Sequence, residues 1–217
     1  MEKQVLLLSA SAKNKNLCVA GLDLLDRRLI RLVSDDKDTD GAIPKYYMQN
    51  TQIGDVVDIS VVRPLPNEYQ PENFLVDLGR SPRIQDHYSA TRVIGIMKEY
   101  SYHEYFLLGN HKAFLTADDM KNNYGSLAWV HVNNVSIHLN ERHKTRADFD
   151  YNGYKYENVS VTDWDFFDID HTIRLSDAYF LMSLPHTSWC IGDGVERYYK
   201  FVAKIFPTEH RPHLSLG

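Results

Sequence analysis

The sequence predicts a mainly β protein with short helices, built as two small barrels. Three observations carry that expectation. Short runs of aromatic and β-branched residues alternate with polar ones and are separated by Gly, Asn, Asp and Pro, the pattern of many short strands. That grammar begins at the N-terminus and starts again from about residue 100, which divides the chain into domains 1–100 and 101–217. Finally, 217 residues with 43% hydrophobic and 24% charged side chains supply enough apolar material for two cores and exclude global disorder.

In the first half, Leu17-Cys18-Val19-Ala20-Gly21-Leu22-Asp23 and Leu29-Ile30-Arg31-Leu32-Val33 flank Asp26-Arg27-Arg28 and read as a hairpin, with Cys18 as a buried, inert thiol. Gly54-Asp55 opens Val56 to Val62, where Val57, Ile59 and Val61 face a core while Asp58 and Ser60 face away. Pro64-Leu65-Pro66 ends that strand. Gln70-Pro71-Glu72-Asn73 leads into Phe74-Leu75-Val76, and Thr91 to Met97 is expected to be the strand that closes the first barrel. In the second half, Leu127 to Val132 and Val135 to Leu139 read as one strand whose apolar phase shifts at Asn133-Asn134, as a bulge requires. Asn152-Gly153 joins Asp148–Tyr151 to Tyr154–Tyr156 in a hairpin, because this pair accepts positive φ at both turn positions. Thr162 or Asp163 caps a short helix running to about Ile173. Tyr179–Leu184 and Tyr198–Phe206 close the chain as strands, the latter with Tyr199, Phe201, Ala203 and Ile205 on one face and Tyr198, Lys200 and Lys204 on the other.

Charge and composition narrow the function classes. Lys and Arg number 24 against 29 Asp and Glu, a net charge of −5, so any nucleic-acid site must be a local patch. Two cysteines, Cys18 and Cys190, make neither a disulfide framework nor a zinc site and fit a reducing cytoplasm. The apolar run Val5–Leu8 is too short for a signal-peptide core or a membrane span, so no membrane partner is expected. Asp36-Lys37-Asp38-Thr39-Asp40-Gly41 opens like a calcium loop, but Tyr47 stands where a bidentate Glu is needed and Pro44 intrudes. An acidic solvated loop without tight calcium binding is expected there. Asp163, Asp165, Asp168 and Asp170 read as helix-start acids, since a helix does not put them all on one face. Asp119-Met120-Lys121 matches a nuclease fragment only by a spacing that chance often supplies, and His210 and His213 make no tight metal pair. No nucleophile elbow, phosphate loop or dinucleotide fingerprint occurs, so no cofactor, metal or catalytic residue is assigned.

A binding surface remains. Lys13, Lys15, Arg27, Arg28 and Arg31 gather near the first hairpin, and Arg142, His143, Lys144 and Arg146 near residue 144, in a chain with 14 Tyr and three Trp. Cations beside exposed rings suit single-stranded nucleic acid, whose phosphates seek charge while its bases stack. Tyrosines are equally favoured strand residues, and basic tips also keep strand edges soluble, so both readings stand.

Several motifs then occur in a recognisable order. Cys18-Val19-Ala20-Gly21-Leu22-Asp23 followed by Leu29-Ile30-Arg31-Leu32-Val33-Ser34 resembles the opening of the bacterial dual OB-domain family, in which a "CxAGxD" strand turns into a "WIRPVS" strand; Leu29 and Leu32 replace the Trp and Pro. Gln70–Asn73 resembles the family's "QPEN" element. Phe149-x-Tyr151-x-Gly153-x-x-Tyr156 with Val161-Thr162-Asp163, and Met182-Ser183-Leu184 with Tyr199–Ala203, resemble its second half. The resemblance implies two packed five-stranded OB-like barrels and, by analogy of fold, recognition of nucleic acid or a nucleotide in bacterial conflict or defence. Within it, Arg31, Ser34, Glu72, Asn73, Asp163, Ser183 and Lys200 are polar where a barrel alone does not demand it. They either line a cleft or pair with one another, Arg31 with Glu72 and Asp163 with Lys200. The expected function is a non-enzymatic module that binds single-stranded DNA, RNA or a nucleotide through short-range contacts by Arg27, Arg28 and Arg31. The alternatives are a scaffold subunit of a larger protein system and, behind it, a metal-dependent nuclease.

Overall fold

Strands form where apolar residues alternate or run together, and the computed structural model shows how they close on themselves. It describes residues 1–209 apart from 14, 37–38 and 122–124. The chain splits into two compact units, residues 1–67 with 71–100, and residues 68–70 with 101 onward.

In the first unit, β1 (Glu2–Lys13), β2 (Asn16–Asp23), β3 (Arg28–Val33), β4 (Asp55–Pro64) and β5 (Asn73–Val76) form a ring in the order β1-β2-β3-β5-β4, closed by antiparallel pairing of β4 with β1. The parallel contact of this ring is β3 with β5, from Arg31↔Asn73 to Val33↔Leu75. A short strand, β6 (Arg83–His87), pairs with the start of β4. Val5, Leu7, Val19, Ile30, Val57, Ile59, Val61 and Phe74 fill the ring. Burying each such side chain contributes about 1.5–3 kcal/mol. The run Val5 to Leu8 is buried on both faces of β1, which is why it does not alternate. Asp23 has no exposed side-chain surface and takes an ion pair from Lys3, while its Oδ1 accepts the Leu25 and Asp26 N–H groups at 3.1 and 3.3 Å. Burial lowers the Lys3 amine's affinity for its proton, but the Asp23 and Asp26 carboxylates outweigh that and hold it above its ordinary value.

The second unit repeats the ring. Here β7 (Phe114–Leu115) and α2 (Ala117–Met120) precede β8 (Leu127–Leu139), β9 (Thr145–Tyr151), β10 (Tyr154–Val161) and β11 (Ile173–Ser183); β12 (Trp189–Cys190), β13 (Glu196–Tyr199) and β14 (Phe201–Pro207) follow. The closed order β8-β9-β10-β14-β11 is again first, second, third, fifth, fourth, and its parallel pair, β10 with β14, again joins third to fifth. Each third-to-fourth connection plugs its ring with a 3-10 turn: Lys45–Met48 inserts Tyr47 and Met48, and Trp164–Phe166 inserts Phe166. The fourth-to-fifth connections differ. In the first ring this connection is residues 65–72, of which 68–70 belong to the second unit, whereas 184–200 in the second ring carry β12 and β13, which join β7 in a small sheet ordered β12-β13-β7.

Several sequence expectations match these elements. The hairpin turn takes φ of 50° at Asn152 and 81° at Gly153. Asn134 has φ of 52°, and the β8–β9 register slips between Asn133 and Ser136. Others need correction. Thr91 to Met97 is not a closing strand but part of α1 (Ala90–Met97), because Ser89 caps the Arg92 N–H and the buried Val93 and Met97 stand four apart on one helical face. The helix expected from 163 to 173 is only the turn Trp164–Phe166, with Asp163 as its cap. Tyr198–Phe206 is two strands split at Lys200. Within β14 an extra residue at Ala203 shifts the register, so Val202 and Ile205 enter the core and Lys204 is buried. Cys18 is half-buried, since Leu17 and Val19 take the core-facing phase of β2.

Gly21 lies opposite the β1 bulge between Leu7 and Ser9, where a Cβ would stand 2.5 Å from both Leu6 O and Val5 Cγ1. Gly21→Ala must therefore push apart two paired backbones. It is expected to cost about 1–3 kcal/mol in chemical denaturation; a midpoint equal to wild type would show that the close approach is absent.

Candidate functional site

The basic residues of the first hairpin are exposed but engaged. Arg27 sits at the turn with φ of 53°, and its guanidinium donates to Tyr100 Oη and Glu99 Oε2, both at 3.0 Å. Arg28 meets Asp26 at 3.3 Å and lies over the Phe74 ring. Lys15 is an exposed turn residue with φ of 64°, and Lys13 donates to Asp40 O at 2.6 Å while pairing with its carboxylate at 3.2 Å. That pairing uses up an acid of the calcium-like loop, whose Lys37 and Asp38 lie outside the described residues.

The polar residues singled out by the family motifs are mostly buried. At the parallel junction of the first ring, Arg31 is 4% exposed, donates from Nη1 to Cys18 Sγ at 2.9 Å, and stands 3.6 Å from Glu72. Asn73 pairs with it across the ladder. Ser34 closes the following turn by donating to Ala42 O at 2.9 Å. The expected Arg31–Glu72 pair is present; the expected Asp163–Lys200 pair is not. Asp163 instead binds Lys204 at 3.1 Å and accepts the Ile205 N–H at 2.9 Å, because the Ala203 bulge brings Lys204 beside it. Burial pushes the Asp163 carboxyl up against the opposing pull of Lys204. Ser183 is buried at the end of β11, paired in register with Leu127 and Phe201. Side chains as enclosed as Arg31, Ser34, Asn73, Asp163, Ser183 and Lys200 hold strands together and offer little surface to a polymer.

The nuclease fragment resolves in the same way. Asp119 is the third residue of α2, and its carboxylate accepts the Thr116 N–H at 2.8 Å in a capping box. Lys121 pairs with Asp118. Asn122 and Asn123, like His210 and His213, lie outside the described residues. Among the described residues, no three His, Cys, Asp or Glu side chains gather to hold a metal ion.

What the sequence reading missed lies in the second unit. Tyr105, Phe106, His111 and Tyr154 form an aromatic platform with ring centroids 4.9–6.1 Å apart, and the Tyr105 and Tyr154 hydroxyls meet at 2.6 Å. Tyr105 is 63% exposed. A second platform joins Phe114, Tyr199, Trp189 and Phe201 at 5.8–6.2 Å, with the Lys112 amine and the Arg197 guanidinium over the Phe114 ring at 5.9 and 5.1 Å. Trp189, 45% exposed, projects from the β12–β13 hairpin, whose turn uses positive φ at Gly192 and Gly194. Consecutive residues His111 and Lys112 place the loop 110–113 between the platforms. The β8–β9 turn exposes Arg142, His143 and Lys144. A Trp beside a Gly-Asp-Gly turn was the available signal for this hairpin; the meeting of residues 105, 154 and 189–201 depends on ring closure.

Lys200, between Tyr199 and Phe201, has no exposed surface. Its Nζ donates to Asn110 O at 2.7 Å and Asn110 Oδ1 at 3.0 Å, and its backbone N–H donates to Ala113 O at 2.9 Å. Burial pulls its pKa down from 10.5 to about 7, with Asp119 pulling weakly the other way. Between those two values the unfolded chain binds more protons than the folded one, so stability rises with pH across that window. The rise is on the order of 4 kcal/mol. Unfolding midpoints at pH 6.5 and 9.5 should show it for wild type and lose it for Lys200→Met; equal pH dependence in the two proteins would contradict the buried amine.

No helix among the described residues is long and apolar enough to cross a membrane. Nothing among curated proteins or solved structures matches the chain. A family model described as "Dual OB-containing domain" matches residues 3–205, which covers all five strands of both rings apart from the outermost residues of β1 and β14. Two mainly β rings of identical strand order and a match of that extent lead to one conclusion: the chain belongs to the family of dual OB-containing domains.

Proposed function

We propose that this chain is a binding module for single-stranded nucleic acid, and that the second unit carries the site. OB-folds commonly bind oligonucleotides on the face of strands two and three and on the loop between strands four and five. The observation that carries the reading is the pair of aromatic platforms flanking loop 110–113, one of them built on that fourth-to-fifth connection and accompanied by Lys112 and Arg197. Rings with open faces stack on unpaired bases of any sequence, and each such contact is worth about 1–3 kcal/mol. Duplex DNA hides those faces, so the preferred ligand is unpaired DNA or RNA. With a net charge of −5, the protein gains no long-range attraction to a polyanion, and stacking must supply most of the affinity. The first-hairpin arginines are secondary in this reading, since Arg27 and Arg28 already serve Glu99, Tyr100 and Asp26. The two unpaired cysteines agree with a reducing, intracellular setting.

The test is fluorescence anisotropy with labelled oligothymidylate and oligouridylate at low and moderate salt. Trp189→Ala with Tyr154→Ala should weaken binding at least tenfold, equivalent to about 1.4 kcal/mol, and the salt slope should stay shallow, near −1 to −2. Arg27→Glu with Arg28→Glu should change the affinity less than twofold. The reverse ranking would move the site to the first hairpin. Absence of binding by wild type at any salt would remove the nucleic-acid reading and leave the scaffold role, for which the exposed Trp189, Ile191 and Val195 are the available surface.

A further inference from the structure

Lys200 fastens the loop between the two platforms from beneath. Its amine holds Asn110 and its backbone N–H holds Ala113, so both ends of loop 110–113 are tied to one residue. The loop carries His111 into the first platform and Lys112 into the second. We propose that Lys200 is a positioning residue that couples nucleic-acid binding on these platforms to uptake of a proton by its amine.

The coupling rests on the binding reading given above and adds its regulation. The site accommodates both forms of the amine. A neutral amine has two N–H groups, and Asn110 O and Oδ1 accept both. The ammonium has a third, and Nζ lies 5.2 Å from the centroid of the Tyr156 ring, whose face favours positive charge. Titration therefore changes charge without demanding that the loop unfold. Burial brings that titration to about pH 7. Around Lys200, α2 contributes Asp119, held by Thr116 and Asn110, and β10 contributes Tyr156, whose hydroxyl donates to Asn110 O at 3.0 Å. The loop itself contributes His111 and Lys112, and on β13 Arg197 is taken by Asp193. Asp119 is thus the sole carboxylate acting on the amine among the described residues, and it is shared. A phosphate backbone laid along the loop adds negative charge above a poorly hydrated, weakly screened site, and so favours the ammonium form. By reciprocity, the ammonium form binds that backbone more tightly.

The experiment measures affinity for labelled oligothymidylate from pH 6 to pH 9 at constant salt, with wild type and Lys200→Met. Asn110 O keeps Tyr156 as a donor and its Oδ1 keeps the Lys112 N–H, so the variant retains partners for both acceptors. Circular dichroism and a melting curve confirm its fold. Wild type should bind about five- to tenfold more tightly at pH 6 than at pH 9, and the variant should lose most of that difference; His111 is present in both, so the difference between profiles belongs to Lys200. Calorimetry at pH 8 in two buffers of unlike ionisation heat should show proton uptake on binding by wild type and less by the variant. Superimposable pH profiles, or equal proton uptake, overturn the coupling while leaving the binding reading intact. No binding at any pH overturns the binding reading and the coupling with it. If Lys200→Met fails to fold, the wild-type calorimetry decides alone, and zero proton uptake overturns the proposal.

Discussion

Closure of each sheet by its first and fourth strands, β1 on β4 and β8 on β11, is the constraint on which the other features depend. Once those strands are neighbours, the fifth strand must fill the gap between the third and fourth, and it arrives parallel to the third. Two crossing connections result, third to fourth and fourth to fifth. The third-to-fourth connection is short on freedom, because it must cover the open end of the ring with apolar side chains, as Tyr47, Met48 and Phe166 do. The fourth-to-fifth connection has no such duty and differs between the rings; in the second ring it carries Trp189 and Tyr199 of one aromatic platform.

The buried lysines show how the same side chain takes different roles. Lys3 and Lys204 each meet aspartates, Asp23 and Asp163, that also accept backbone N–H groups, so each ion pair fixes a turn to a strand. Removing either partner would leave the other charge buried and uncompensated, which is far costlier than the pair is worth. Lys200 instead donates to the backbone and side-chain oxygens of Asn110, with Tyr156 beside its amine and no carboxylate in hydrogen-bonded contact among the described residues. Its environment satisfies its hydrogen bonds without satisfying its charge, and that distinction separates a structural lysine from one that responds to solution conditions.

Local signals in the sequence were legible where one residue pair or one face decides the conformation: the Asn152-Gly153 turn, the Asn133-Asn134 bulge and the Val57, Ile59, Val61 face. The motifs that signalled the family were legible too, but as polar positions they marked the strand junctions and not an exposed site. Thr91–Met97 misled because a β-branched and apolar segment of eight or fewer residues suits either period, and the Ser89 cap settled it. The Ala203 bulge was not read because Phe201, Ala203 and Ile205 already alternate as one apolar face; the slip shows only against β11, where Leu181 faces Lys204 and Met182 faces Val202. The platforms were illegible for a further reason. Their members come from before β8, from the second hairpin and from the last connection, and only ring closure brings such segments together.

Identical strand order does not give the two rings equal exposure during synthesis. The last strand of the first ring ends at Val76, so that ring can close while later residues are still being added. The second ring waits for β14, Phe201–Pro207, and until then β10 and β11 each present an unfilled edge. An open edge is a template for pairing with another chain. The nascent protein therefore spends its period of greatest aggregation risk with the second ring incomplete, and the long excursion between β11 and β14 prolongs it.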